Sequence, residues 1–240
     1  MAISVPTDIA GCIVWLDGDD AGSFSLDGTE VLQWNDKSGN ANHFPQHTDP
    51  GPTRTASGLN GKAVVTATGS QRLGSVFTLA QPLTMVFVAQ FNLNGSYNGL
   101  MGTGANLTMF RRDNNSLALE AGGSPIESST TISTPYIITA ICNGASSFLR
   151  LNQSQVATGD IGTAGFAGDP IKYLSQVSGN DMTGFIAEHV VYDSALSGGN
   201  LTDVEAYLVA KWFTAGGGTV GRRRIRPRPL RNVGHPAYLS

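Results

Sequence analysis

The chain has 240 residues, of which 30 are glycine and 11 proline, while 15 are basic and 18 acidic. A charged fraction of 14% is well below the ~25% usual for soluble domains. It excludes a coiled coil, a helical bundle and an acidic solvating tail, all of which are charge-rich and glycine-poor. Hydrophobic residues at 40% suffice for a sizeable core, and the length fits one large all-β domain.

Short runs rich in β-branched and aromatic residues recur along the chain, divided by Gly/Asn/Ser/Pro clusters. In order, strands are predicted over Cys12–Asp17, Glu30–Asn35, Lys62–Thr66, Leu83–Phe91 and Ala105–Arg111. They continue over Ser116–Glu120, Tyr136–Cys142, Ser146–Leu151, Ile171–Ser175 and Phe185–Tyr192. Thr84–Phe91 is nearly continuous apolar, the mark of a central strand covered on both faces. Phe148–Asn152 and Gln155–Ala157 read as a hairpin around Gln153-Ser154. No fixed-period repeat appears, which excludes a solenoid or propeller.

One helix closes the domain, predicted at about residues 200–214. Leu201, Val204, Leu208 and Trp212 fall on one helical face. Thr202-x-x-Glu205 fits a capping box with Asn200 as an alternative N-cap, and Gly216-Gly-Gly218 is the expected stop. The domain thus covers 1–215, followed by a Gly/Arg/Pro-rich tail over 216–240.

Charge divides along the same boundary. The tail carries six arginines and no acid, a charge of +6, and the rest carries 9 basic and 18 acidic residues, a charge of −9. Such asymmetry marks a segment with its own partner. Arg222, Arg223, Arg224, Arg226, Arg228 and Arg231 are the expected docking residues, with Tyr238 and other apolar residues among them. The interleaved prolines favour an extended strand laid in an acidic groove of a neighbouring subunit. A nucleic-acid arm is a further reading, less favoured because a purely electrostatic arm rarely needs the apolar residues.

Cys12 and Cys142 sit in apolar stretches and read as buried, reduced thiols. The N-terminus has no basic n-region or clean h-region, so no secretory signal is read. No apolar run approaches the ~18 residues of a membrane span.

Three stretches stand out together. The first is Ile13-Val-Trp-Leu-Asp-Gly-Asp-Asp20 with Val31-Leu-Gln-Trp-Asn-Asp-Lys-Ser-Gly-Asn-Ala-Asn-His43, and the second is Leu59-Asn-Gly-Lys-Ala-Val-Val65. The third is Gly184-Phe-Ile-Ala-Glu-His-Val-Val-Tyr-Asp-Ser-Ala-Leu196, running into the helix. In this order they resemble the concanavalin A-like lectin/glucanase superfamily in its laminin-G-like branch. The resemblance covers about residues 10–213 and implies a two-sheet antiparallel jelly-roll sandwich. It also implies a function among carbohydrate binding, glycoside hydrolysis, and adhesive or structural roles, bacteriophage virion proteins included.

Hydrolases of that superfamily carry paired carboxylates on one strand in a Glu-x-Asp-x-Glu pattern, because the chemistry needs an acid and a nucleophile or base on one face. This chain lacks the pattern, so no catalytic residue is assigned. Glu188 reads as a structural carboxylate. The Asp17-to-Gly28 loop offers Asp17, Asp19, Asp20 and Asp27 as oxygen ligands for calcium, although it fails the EF-hand pattern at Ala21 and Gly28; the alternative is a set of Asx turns. Otherwise no cofactor is expected. Trp34–Asn42 reads first as a turn pinned by Asp36 and Ser38. The alternative is a sugar site built from Asp36, Asn40, Asn42 and His43.

Together these features lead to a non-enzymatic virion protein, a bacteriophage capsid decoration or tail-associated component. It would join a homo- or hetero-oligomeric assembly of other virion proteins through its tail, with host-surface glycans as a further partner. A carbohydrate-binding module or adhesin is the alternative.

Overall fold

A computed structural model describes residues 2–93, 97–103, 107–166, 171–175 and 180–214. In chain order the strands are β1 (Cys12–Asp17), β2 (Phe24–Asp27), β3 (Glu30–Trp34), β4 (Phe44–Pro45), β5 (Thr53–Leu59), β6 (Lys62–Thr68) and β7 (Leu73–Ser75). They continue with β8 (Leu83–Phe91), β9 (Asn98–Gly102), β10 (Leu107–Arg111), β11 (Ser116–Ala121), β12 (Ile126–Ser129) and β13 (Pro135–Cys142). The last are β14 (Ser147–Leu151), β15 (Ser154–Gly159), β16 (Ile171–Tyr173) and β17 (Thr183–Tyr192), followed by one α-helix, α1 (Gly198–Trp212).

Two antiparallel sheets stack face to face. The larger runs β15-β14-β13-β8-β17-β6-β5-β3-β2, with β1 beside β17 and β4 beside β3; the smaller runs β12-β11-β10-β9-β16-β7. This is the expected all-β sandwich with a single C-terminal helix. Glu30–Asn35, Tyr136–Cys142 and Ser146–Leu151 match the observed strands to within one residue, whereas Phe185–Tyr192 begins two residues early, at Thr183. The hairpin turn lies one residue earlier than expected, at Asn152-Gln153, both with positive φ (47° and 70°).

Two apolar cores follow from the period-two alternation of the large sheet. On β8, Met85, Phe87, Ala89 and Phe91 enter the core between the sheets. Val86 and Val88 point the other way, into a second core under α1. There Leu201, Val204, Leu208 and Trp212 pack on Val86, Val88, Ile137, Ile141 and Val190. Each such side chain, fully buried, contributes about 1.5–3 kcal/mol. Cys12 and Cys142 are free and buried in different cores; burial pushes the Cys12 thiol up to about 12.

The helix entry differs from the capping box read in the sequence. Its N-cap is Ser197, without a side-chain cap. Thr202 Oγ1 bonds back to the Gly198 and Gly199 carbonyls. Glu205 is fully buried and receives the Arg150 guanidinium at 2.8 and 3.0 Å and the Thr139 hydroxyl at 2.8 Å. Arg150 draws the carboxylate toward the sheet and away from the helix terminus. The helix ends at Trp212, capped by Phe213, and Gly216-Gly-Gly218 lies outside the described residues.

Candidate functional site

β17 changes neighbour halfway along. Thr183–Ile186 pair with β6, and Glu188–Tyr192 pair with β1. The register shifts between Ile186 and Glu188, and a bulge of this kind re-aims side chains. Ala187 and Glu188 consequently both serve the outer face, while His189 stacks inward on Phe87. Gly18 closes the junction through a 2.8 Å bond from its N–H to the Ala187 carbonyl, and a Cβ there would lie 2.7 Å from that oxygen.

The bulge sets Glu188 opposite Asp17 on β1, beneath α1. Glu188 is fully buried and accepts four donors. Trp15 Nε1 (2.7 Å) and Tyr207 OH (3.0 Å) reach one oxygen; Trp212 Nε1 (2.5 Å) and Lys211 Nζ (2.7 Å) reach the other. Lys211 also lies 2.7 Å from Asp17 Oδ1. The chain of charges continues through Lys37, 3.0 Å from Asp17 and 2.7 Å from Asp20, with its ammonium over the Trp15 ring. Burial pushes the Glu188 carboxyl above the usual carboxylate range against the pull of Lys211. Burial and the neighbouring Glu188 carboxylate push the Tyr207 phenol well above its ordinary value.

Lysines therefore hold the acids of the first loop. Asp17 and Asp20 serve Lys37, and Asp19 serves Lys62 at 2.9 Å and the Ala63 N–H at 3.0 Å. Lys37 leads the causes that lower the Asp20 carboxyl. For Asp19, burial raises the carboxyl, and the Lys62 and Ala63 hydrogen bonds outweigh it. Asp27 stands apart on β2. Among the described residues no group of three or more His, Cys, Asp or Glu side chains is placed to hold a metal ion, so the calcium alternative has no converging ligand set there.

The Asp36 turn is held in the same internal way. Its carboxylate accepts the Trp15, Ser38 and Asn42 N–H groups and the Ser38 hydroxyl at 2.7–3.0 Å. Asn40 and Asn42 donate to the Cys12 and Ile13 carbonyls, and His43 Nδ1 accepts the Asp36 N–H. These contacts carry the pinned-turn reading. Of the four candidate sugar-binding residues, His43 borders a cavity, together with Gln46, His47, Gly74, Ser75 and Val76. Sequence reasoning passed over Gln46 and His47, which sit in a polar stretch with no spacing signal. Arg222, Arg223, Arg224, Arg226, Arg228, Arg231 and Tyr238 lie outside the described residues.

The fold defines a class, the two-sheet antiparallel sandwich with a helix on one face. No protein-family model and no curated protein sequence matches the chain. Solved structures match its fold. Domain 4 of an extracellular GH43 arabinanase from Geobacillus stearothermophilus, solved with arabinotriose, has a TM-score of 0.61 at 11% identity over 82% of this chain and 97% of that one. The binding domain of Paraclostridial Mosquitocidal Protein 1 has a TM-score of 0.61 at 13% identity, covering 86% of this chain and 53% of that one. Trypanosoma rangeli sialidase in complex with sialic acid has 0.55 at 13%, covering 85% of this chain and 33% of the enzyme. The chain thus spans about a third of the sialidase and about half of the mosquitocidal binding domain. At these identities the likeness is one of fold.

Proposed function

We propose that this chain is a non-enzymatic lectin-like display module, a bacteriophage capsid decoration or tail-associated component joined to its particle through residues 216–240. The observation that carries the reading is the division of charge between a domain at −9 and a tail at +6, since a basic, proline-interrupted arm suits an acidic groove on a neighbour. The fate of the family-motif carboxylates supports the non-enzymatic part. Asp17 and Glu188 face each other across two strands, yet Lys211 bridges both carboxylates and two indoles donate to Glu188 beneath a helix. A hydrolase needs its acid and its nucleophile or base open to substrate. Truncation after Gly217 tests the anchor: the shortened chain is expected to keep the melting temperature of the full chain and to be missing from purified particles. Normal incorporation of the truncated chain would refute the proposal.

A second reading, carbohydrate binding, is favoured by the likeness to a domain solved with arabinotriose and by the cleft beside His43. The two readings are compatible, because a displayed module can also bind glycans.

A further inference from the structure

The segment after β4 stitches the two sheets together along one open edge of the sandwich. Gln46 N–H donates to the Leu32 carbonyl of the large sheet at 2.7 Å, and Gln46 bridges to Leu73 of the small one. His47 N–H bonds to the Arg72 carbonyl at 3.0 Å. Two open surface depressions of about 440 and 310 Å³ flank this stitch and share the Gln46 and His47 side chains as walls. Each lies within the roughly 300–1,000 Å³ range of small-molecule sites.

The lining combines a fixed polar floor with uncommitted groups above it. Glu30 Oε1 accepts Gln46 Nε2 at 2.8 Å and the Gly51 N–H at 2.6 Å, which holds both side chains in place. The Asp27 and Asp49 carboxylates and the His47 ring line the same space and make no hydrogen bond or ion pair within the described residues. Leu32, 40% exposed, and Val76, 77% exposed, present apolar surface on the two sides. Hydroxyl acceptors beside small apolar patches match a sugar ring, which has polar edges and C–H faces. Neither lining contains a lysine or arginine, while Asp27, Glu30 and Asp49 contribute three carboxylates. A ligand carboxylate would meet like charge with no compensating cation, an arrangement that rejects it.

We infer that this cleft binds a glycan unit without a carboxylate, neutral or amino-bearing, and excludes sialylated and uronic-acid glycans. The inference rests on the carbohydrate-binding reading and assigns that reading its site and ligand class.

The test is a printed array of mannose-, galactose-, glucose-, N-acetylglucosamine-, glucosamine-, sialic acid- and uronic acid-terminated glycans, probed with the full chain and with His47→Ala, Asp27→Ala and Val76→Asp. All three side chains are at the surface, and equal melting temperatures establish that the variants fold. The expected result is binding to one or more neutral or amino-bearing glycans, weakened at least tenfold in each variant, with no signal on acidic ones. Undiminished binding in all three variants would overturn the site while leaving the carbohydrate reading intact. Selective binding of acidic glycans would overturn the ligand class. No binding to any glycan would overturn the inference together with the reading beneath it.

Discussion

Asp17 and Glu188 stand directly opposite each other on β1 and β17, and Lys211 lies 2.7 Å from a carboxylate oxygen of each. Two like charges facing across a sheet destabilise it; a cation between them turns the pair into a clamp joining strand, strand and helix. Lys211→Met leaves the two carboxylates buried without it. The expected loss is about 3–5 kcal/mol of folding stability, the usual cost of breaking a buried pair, read by urea unfolding. Removing the ammonium moves the already raised Glu188 carboxyl further up. A raised folded value penalises folding as pH rises through it, so the defect should be larger at pH 8 than at pH 5.

His189 lies fully buried against Phe87, with ring centroids 3.8 Å apart, and neither ring nitrogen has a hydrogen-bond partner within the described residues. Burial lowers it from 6.5 to about 3. The unfolded chain therefore binds this proton across that interval and the folded chain does not. Stability from this group is complete above about pH 6.5 and declines as pH falls toward 3, at about 1.4 kcal/mol per pH unit. Urea unfolding at pH 7 and pH 4.5 should show a smaller difference in His189→Phe than in the parent protein.

Thr202 and Glu205 separate the observed helix entry from the one the sequence suggested. A working capping box would cost about 1 kcal/mol on losing its threonine. Thr202 makes only back-bonds to the first turn, so Thr202→Ala is expected to stay within about 0.5 kcal/mol of the parent. Glu205→Ala strands the partly buried Arg150 and should cost about 3 kcal/mol or more. The two denaturation midpoints decide the matter.

Asp36→Ala removes the acceptor of three backbone N–H groups and a hydroxyl. Hydrogen bonds to a charged group contribute about 1.5–3 kcal/mol each, although the loop can relax toward water. A loss of at least about 2 kcal/mol is expected on the same basis. Glycan binding by the folded fraction should be unchanged, since the carboxylate faces inward.

The sandwich was legible where burial on both faces writes a continuous apolar run, as in β1 and β8, whose observed limits are the predicted ones. β5 was invisible because Thr-Arg-Thr-Ala-Ser-Gly-Leu is largely exposed and is held by pairing with β6. β9, Asn-Gly-Leu-Met-Gly, hides its burial behind two glycines. At the site, Asp36 was readable as a turn residue because Asx geometry is local. The cross-strand meeting of Asp17 and Glu188 was not, because it depends on register between residues 171 positions apart and on a bulge that breaks strict alternation. Lys211 did leave a trace: it follows Leu208 by three, placing a cation on the apolar stripe of the helix.

Asp17 and Glu188 hold strand, strand and helix together, and the proposed function gives them no chemistry. Glu188→Gln tests this most directly, with melting temperature, glycoside hydrolysis and glycan binding measured on the same preparation. The account expects a loss of about 3 kcal/mol or more, hence a melting temperature lower by roughly 6 °C or more. It also expects no hydrolysis in either protein and unchanged binding by the folded fraction. An unaltered melting temperature, together with hydrolytic turnover present in the parent and abolished in the variant, would contradict it.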